Sequence, residues 1–127
     1  MTTRAQFQKE QEEFWNQIGG ERWIANITLV ESMLEPLSEQ LLSAVAPKSA
    51  ERILDIGCGG GPTSAGYAEA VGTDGEVLGV DISSVILDFA RERFAHVSQL
   101  RFETADAGQH PLPPAHFDVV TSRFGVM

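Results

Sequence analysis

ILDIGCGGGPTS, residues 53–64, is the stretch that decides the fold. A short apolar run carries an aspartate, Asp55, and leads into a loop with glycine at 57, 59, 60 and 61. Glycine is used where a chain turns tightly or where backbone must approach something closely. Pro62 suits the first turn of a helix, so the stretch reads as strand, glycine loop, helix. What the loop approaches is the question it poses.

The same alternation continues to the C-terminal side. ERILDI (51–56) is a buried strand, PTSAGYAEAVG (62–72) a helix with Gly72 at its C-cap, and GTDG (72–75) a turn. EVLGVDI (76–82) is a second strand, and SSVILDFARERF (83–94) a second helix opened by Ser83 or Ser84 as N-cap. LRFETAD (100–106) is a third strand, residues 107–116 a proline-punctuated loop, and FDVVTS (117–122) a fourth strand. Strands alternating with helices predict right-handed βαβ units and a parallel sheet. On the N-terminal side the period is helical. A helix over 4–18 presents Phe7, Phe14 and Ile18, and Gly19 and Gly20 are expected to stop it. Residues 21–46 carry Ile24, Ile27, Val30, Leu34, Leu37, Leu41 and Val45 at steps of three and four, an amphipathic helix that Pro36 should kink or divide. The expected organisation is a helical segment over 1–47 and an α/β unit over 48–127.

Composition narrows the function. The chain has 127 residues, one domain's worth. Nine Lys+Arg stand against eighteen Asp+Glu, a net charge of −9. That balance argues against nucleic-acid partners and against adhesion to an anionic membrane. Cys58 is the single cysteine, so no internal disulfide can form. No stretch approaches the roughly 18 apolar residues of a membrane span, and the first fifteen residues lack the apolar core of a signal peptide. The expected compartment is the cytoplasm.

In open parallel sheets a ligand sits beyond the carboxyl ends of the strands, where the glycine loop lies. A P-loop needs G-x-x-x-x-G-K-[ST]. Counting from Gly57 gives Pro62 for the second glycine, and counting from Gly61 gives Tyr67 for the lysine. The dinucleotide fingerprint G-x-G-x-x-G fails at Pro62 or at Ser64. A carboxylate at the inner end of a buried strand is costly unless it meets a cation or several donors. Asp55 would repel a pyrophosphate.

Asp55-Ile56-Gly57-Cys58-Gly59-Gly60-Gly61 resembles the D-x-G-x-G-x-G motif of class I methyltransferases that use S-adenosylmethionine. TADAGQHPLPPAHFDVV resembles that family's third and fourth strand region. FWNQIGGERWIAN and SRFGVM are similar to segments of its ubiquinone/menaquinone-type C-methyltransferase branch. The resemblance implies a Rossmann-like doubly wound parallel sheet, here its first four strands, with the N-terminal helices as a lid walled by Trp15 and Trp23. It implies that Asp55 meets the methionyl ammonium and that Gly57, Cys58 and Gly59 bring backbone to the cofactor. Asp81 would accept from the ribose hydroxyls, and Ile82 would pack on the adenine. Asp106 would contact the adenine amino group, Ala107 would lie along the ring, and Ser122 would line the pocket through its backbone. The family's sheet has seven strands, so the chain is expected to be truncated after the fourth. Its C-terminal half would then be absent, its own methyl transfer slight, and its fourth strand an exposed edge open to self-association.

Other readings stay open at this stage. Asp81 can be an N-cap, Asp106 a turn residue, and Trp15 and Trp23 plain packing. Cys58 has no second cysteine or base to make it reactive. His96, His110 and His116 lack metal-ligand spacing, and His110 and His116 are expected to be exposed. The arginines read as solvated charges. No catalytic residue and no metal ligand is assigned. The acceptor implied is a small molecule. A nicotinamide-dependent oxidoreductase and a non-catalytic cofactor-binding module are the alternatives.

Overall fold

The computed structural model describes residues 3–106, 108 and 116–123. Three helices, α1 (Arg4–Asn16), α2 (Ile18–Ala25) and α3 (Ile27–Val45), precede an α/β unit. That unit runs β1 (Arg52–Ile56), α4 (Pro62–Val71), β2 (Glu76–Asp81), α5 (Ser84–Arg93), β3 (Leu100–Thr104) and β4 (Val119–Ser122). The four strands form one parallel sheet in the order β3-β2-β1-β4. Ile53 stands opposite Val77 on one side and Val119 on the other. The chain therefore winds outward through β2 and β3, then returns to the far side of β1. Strand order reverses between β1 and β4, the place where such sheets open a crevice.

A parallel strand is covered on both faces, and successive side chains point to opposite ones. Ile53 and Val77 pack with Tyr67, Ala68 and Val71 of α4 and with Leu87 and Ala90 of α5. Leu54, Leu78 and Val80 face the other way, with Ala105, Ile56 and Phe117. Two buried hydroxyls tie α4 to the outer strand: the Tyr67 phenol and Thr121 Oγ1 lie 3.0 Å apart. The β1-α4-β2-α5 run falls within a residue or two of the sequence expectation.

The N-terminal helices depart from it. Gly19 and Gly20 lie inside α2 rather than ending a helix. The break falls at Gln17, whose φ/ψ of −120/−118 is not helical. The glycine pair serves close packing: a Cβ on Gly20 would stand 2.1 Å from the Trp15 carbonyl oxygen. The second break falls at Asn26, not at Pro36. Asn26 turns its side-chain amide onto the Arg22 carbonyl at 2.9 Å and closes the end of α2. Pro36 sits within an unbroken α3. The missing N–H would have bonded the carbonyl of Ser32, and both residues are exposed, so water can serve that carbonyl. Farther along, Leu41, Leu42 and Val45 of α3 pack against the core. Arg93 at the end of α5 donates to both oxygens of Glu31 on α3, at 2.5 and 2.8 Å.

Candidate functional site

A cavity of about 1020 Å³ lies between the N-terminal helices and the carboxyl ends of the strands. The sheet side contributes Ile56, Gly57 and Gly59 from β1 and its loop, and Val80, Asp81 and Ile82 from β2. Ala105 and Asp106 follow from β3 and Arg123 from β4. The helical side contributes Phe7, Trp15, Trp23, Val30 and Leu34. The wall is thus largely apolar, with polar groups at the strand ends and Gln8, Gln11 and Glu12 on α1, the usual make-up of a small-molecule site.

The glycine loop is folded back onto β2. The N–H groups of Gly57 and Cys58 both donate to the Val80 carbonyl, at 2.8 and 3.1 Å. Gly59 has φ +57 and Gly61 φ +86, a region that side chains rarely adopt. The first aims an N–H at Asp81 Oδ2, 3.0 Å away. The second starts α4, where a Cβ would stand 2.7 Å from the Phe102 ring.

Asp81 is held at both oxygens, since Ser83 N–H donates to Oδ1 at 3.0 Å. Burial pushes its carboxyl up, against the pull of those backbone donors. A carboxylate has about four lone-pair sites, so two donors leave it able to accept more. The helix-capping role falls to Ser83, whose Oγ accepts from Ile86 N–H at 3.2 Å. Asp55 is 1% exposed and lies beneath the loop. Its Oδ2 accepts from Ser64 Oγ at 2.6 Å, and its Oδ1 has no hydrogen-bond partner among the described residues. Burial raises its pKa to about 6, with Ser64 and Arg123 pulling down and Asp81 pushing up.

The other sequence-predicted residues divide. Ile82 and Asp106 are in the cavity wall. Asp106 Oδ1 accepts from Gly108 N–H at 2.9 Å, as a turn residue does. Cys58 turns its thiol into the core, and burial pushes that thiol well above its ordinary value, so it is not a thiolate. Ser122 donates to the Ile56 carbonyl at 2.8 Å and fastens the ends of β4 and β1. Ala107 and His110 lie outside the described residues. Trp15 and Trp23 both wall the cavity, edge to face with centroids 6.1 Å apart.

Two expectations are corrected. Arg123 is not a free surface charge: it enters the cavity wall, donates to Ser38 Oγ and draws on Asp55. His116 is half-buried, not exposed. It bonds Glu76 at 3.0 Å, at the amino end of β2 and so away from the cavity. Sequence reasoning also missed Asn16. Its Oδ1 accepts from Ser84 N–H and Oγ at 2.6 and 2.9 Å, and its amide donates to the Ile82 carbonyl at 3.3 Å. With Ser83 Oγ donating to the Trp15 carbonyl at 2.6 Å, it clasps the end of α1 to the start of α5. No periodicity marks such a residue. Among the described residues no three His, Cys, Asp or Glu side chains gather as a metal site would require, and no helix is long and apolar enough to cross a membrane.

Comparison with known proteins places this geometry in context. Residues 53–127 match a family model described as a methyltransferase domain. A ubiquinone/menaquinone biosynthesis C-methyltransferase, UbiE, of Azotobacter vinelandii is 40% identical over 78 residues, 59% of this chain and 31% of that protein. EEF1A lysine methyltransferase 4 of Bos taurus is 35% identical over 101 residues, 80% of this chain and 35% of that protein. The chain thus spans about a third of the length of these relatives. Among solved structures, phosphoethanolamine N-methyltransferase 2 of Haemonchus contortus, in complex with S-adenosyl-L-methionine, superposes with a TM-score of 0.60 at 31% identity, over 68% of this chain and 20% of that one.

Proposed function

Since the chain belongs to the methyltransferase domain family, we propose that its cavity binds S-adenosylmethionine and that it serves methyl transfer to a small-molecule acceptor. One observation carries the reading. The glycine loop is flanked by two carboxylates, Asp55 beneath it and Asp81 beside it, and no lysine or arginine belongs to the loop itself. Such a cradle disfavours a pyrophosphate and suits an ammonium and ribose hydroxyls. The unpartnered Asp55 Oδ1 is an acceptor without a donor, and an ammonium supplies donors. Asp81 keeps acceptor capacity after its two backbone bonds.

In this proposal Asp55, the Gly57-Cys58-Gly59 backbone, Asp81, Ile82, Asp106, Ala107 and Ser122 form the cofactor site. Cys58 enters through its main chain only. Residues 1–47 act as its lid over 48–127. S-adenosylmethionine, when bound, supplies a sulfonium-activated methyl group. The protein's share is to orient the cofactor and to keep water away with Phe7, Trp15, Trp23 and Val30. Similarity to the UbiE protein supports a small-molecule acceptor, and no general base is assigned. The proposed compartment is the cytoplasm, in keeping with the single, buried cysteine. Self-association along β4 is part of the same proposal: Val120 is 61% exposed on that strand, and light scattering over a concentration series tests it.

The deciding experiment is calorimetric titration of the chain with S-adenosylmethionine, S-adenosylhomocysteine and NAD. The first two should bind and NAD should not. Preference for NAD would overturn the reading in favour of an oxidoreductase.

A further inference from the structure

Only two buried side-chain polar atoms among the described residues lack a hydrogen-bond partner: Asp55 Oδ1 and Trp23 Nε1. One is an acceptor and the other can only donate. Both adjoin the glycine loop. Asp55 underlies it, and Trp23 Nε1 stands 3.8 Å from where a Cβ on Gly59 would be. A buried N–H without an acceptor costs about as much as a lost hydrogen bond, and the packing around Trp23 holds this one in place. Trp15 holds the Trp23 ring edge to face. Trp15 is in turn anchored by its carbonyl to Ser83 Oγ, and the Gly20 approach fixes α2 against that same carbonyl.

We propose that Trp23 is a cofactor-binding residue, its indole N–H donating to the carboxylate of an α-amino-acid group whose ammonium faces Asp55. An α-amino acid is the small group that carries a cation with donors and an anion with acceptors on one carbon. It answers both orphaned atoms at once. A ribose or a purine offers acceptors to the indole but no cation to Asp55. A phosphate offers acceptors, but its charge would face both Asp55 and Asp81. The inference rests on the cofactor reading given above and goes beyond it. It takes Trp23 from a wall of the lid to a polar contact that reads the amino-acid end of the ligand.

The test compares S-adenosylhomocysteine with 5′-methylthioadenosine, which has the adenosine and thioether but lacks the amino acid. Trp23→Phe removes the N–H and keeps an aromatic ring. Calorimetry should show S-adenosylhomocysteine weakened by roughly tenfold or more, the range for a hydrogen bond to a charged acceptor. Methylthioadenosine should bind the variant and the parent alike. In the unmutated chain, the Trp23 indole ¹H–¹⁵N signal, assigned through its connectivity to the Trp23 backbone, should move downfield with S-adenosylhomocysteine and stay in place with methylthioadenosine. This second readout holds even if the variant folds poorly. Equal weakening of both ligands, or an indole signal that ignores the amino acid, would overturn the assignment of Trp23 and leave the cofactor reading intact. Binding of neither ligand by the unmutated chain would overturn both.

Discussion

Asp55→Asn should flatten the dependence of stability on pH. The Asp55 carboxyl titrates at about 6 in the folded chain against an ordinary 3.8. Between those values the folded state holds a proton that the unfolded state has released. Stability from this group is therefore fully present below about 3.8 and is lost as pH rises through about 6. The full span is worth about 3 kcal/mol, and the part between pH 8 and pH 5 about 1.4 kcal/mol. Asparagine keeps an oxygen for the Ser64 hydroxyl, but it strands an amide where Oδ1 lies. That costs roughly 1–3 kcal/mol at every pH, so the informative quantity is the slope and not the absolute stability. Urea denaturation of both proteins at pH 5, 6, 7 and 8 supplies it. The parent should gain about 1.4 kcal/mol relative to the variant on going from pH 8 to pH 5. Saturating S-adenosylhomocysteine should shrink that gain, because an ammonium at Asp55 would pull its carboxyl back down. Parallel profiles for parent and variant would show that Asp55 is not strained by burial, and the argument for an ammonium beneath the loop would lose its footing.

Asp81→Ala should weaken S-adenosylmethionine by at least about tenfold in calorimetry; unchanged affinity in a folded variant would remove Asp81 from the site. Cys58→Ala should lose about 1 kcal/mol in denaturant titration and keep cofactor affinity within a few-fold, because the thiol faces the core; complete loss of binding with the fold intact would mean that the sulfur acts on the ligand. Gly20→Ala puts a methyl 2.1 Å from a backbone oxygen that cannot rotate away. It should cost about 1–3 kcal/mol and shift the tryptophan emission as α2 lifts from α1, whereas an unchanged melting temperature and spectrum would refute that packing.

Legibility in the sequence followed the range of the forces involved. The β1-α4-β2-α5 run is punctuated by Pro62, Gly72 and Ser83, each acting on its own neighbours, and its strands are short apolar runs. Asp55 and Asp81 were legible because a carboxylate at a strand end is expensive wherever the rest of the chain goes. The breaks at Gln17 and Asn26 were not. Gly19-Gly20 is a stop signal by local rules, but here the pair is spent on contact with the turn before it. Pro36 signals a kink, yet an exposed carbonyl makes its cost small. The roles of Asn16 and Arg123 come from partners 68 and 85 residues away, and neither residue lies on a periodic pattern. His116 was misjudged for the same reason: its partner Glu76 is 40 residues distant.

The Ser83 hydroxyl has one hydrogen and two lone pairs. The hydrogen goes to the Trp15 carbonyl, and a lone pair receives Ile86 N–H. The two tasks use different parts of one oxygen. If α1 and α2 swing aside, the hydrogen turns to water while the lone pair keeps the first turn of α5 closed. Departure of the helical cover is then a change of partner and not an unravelling. On the lid reading proposed above, the latch can be worked repeatedly while the frame it is mounted on stays wound.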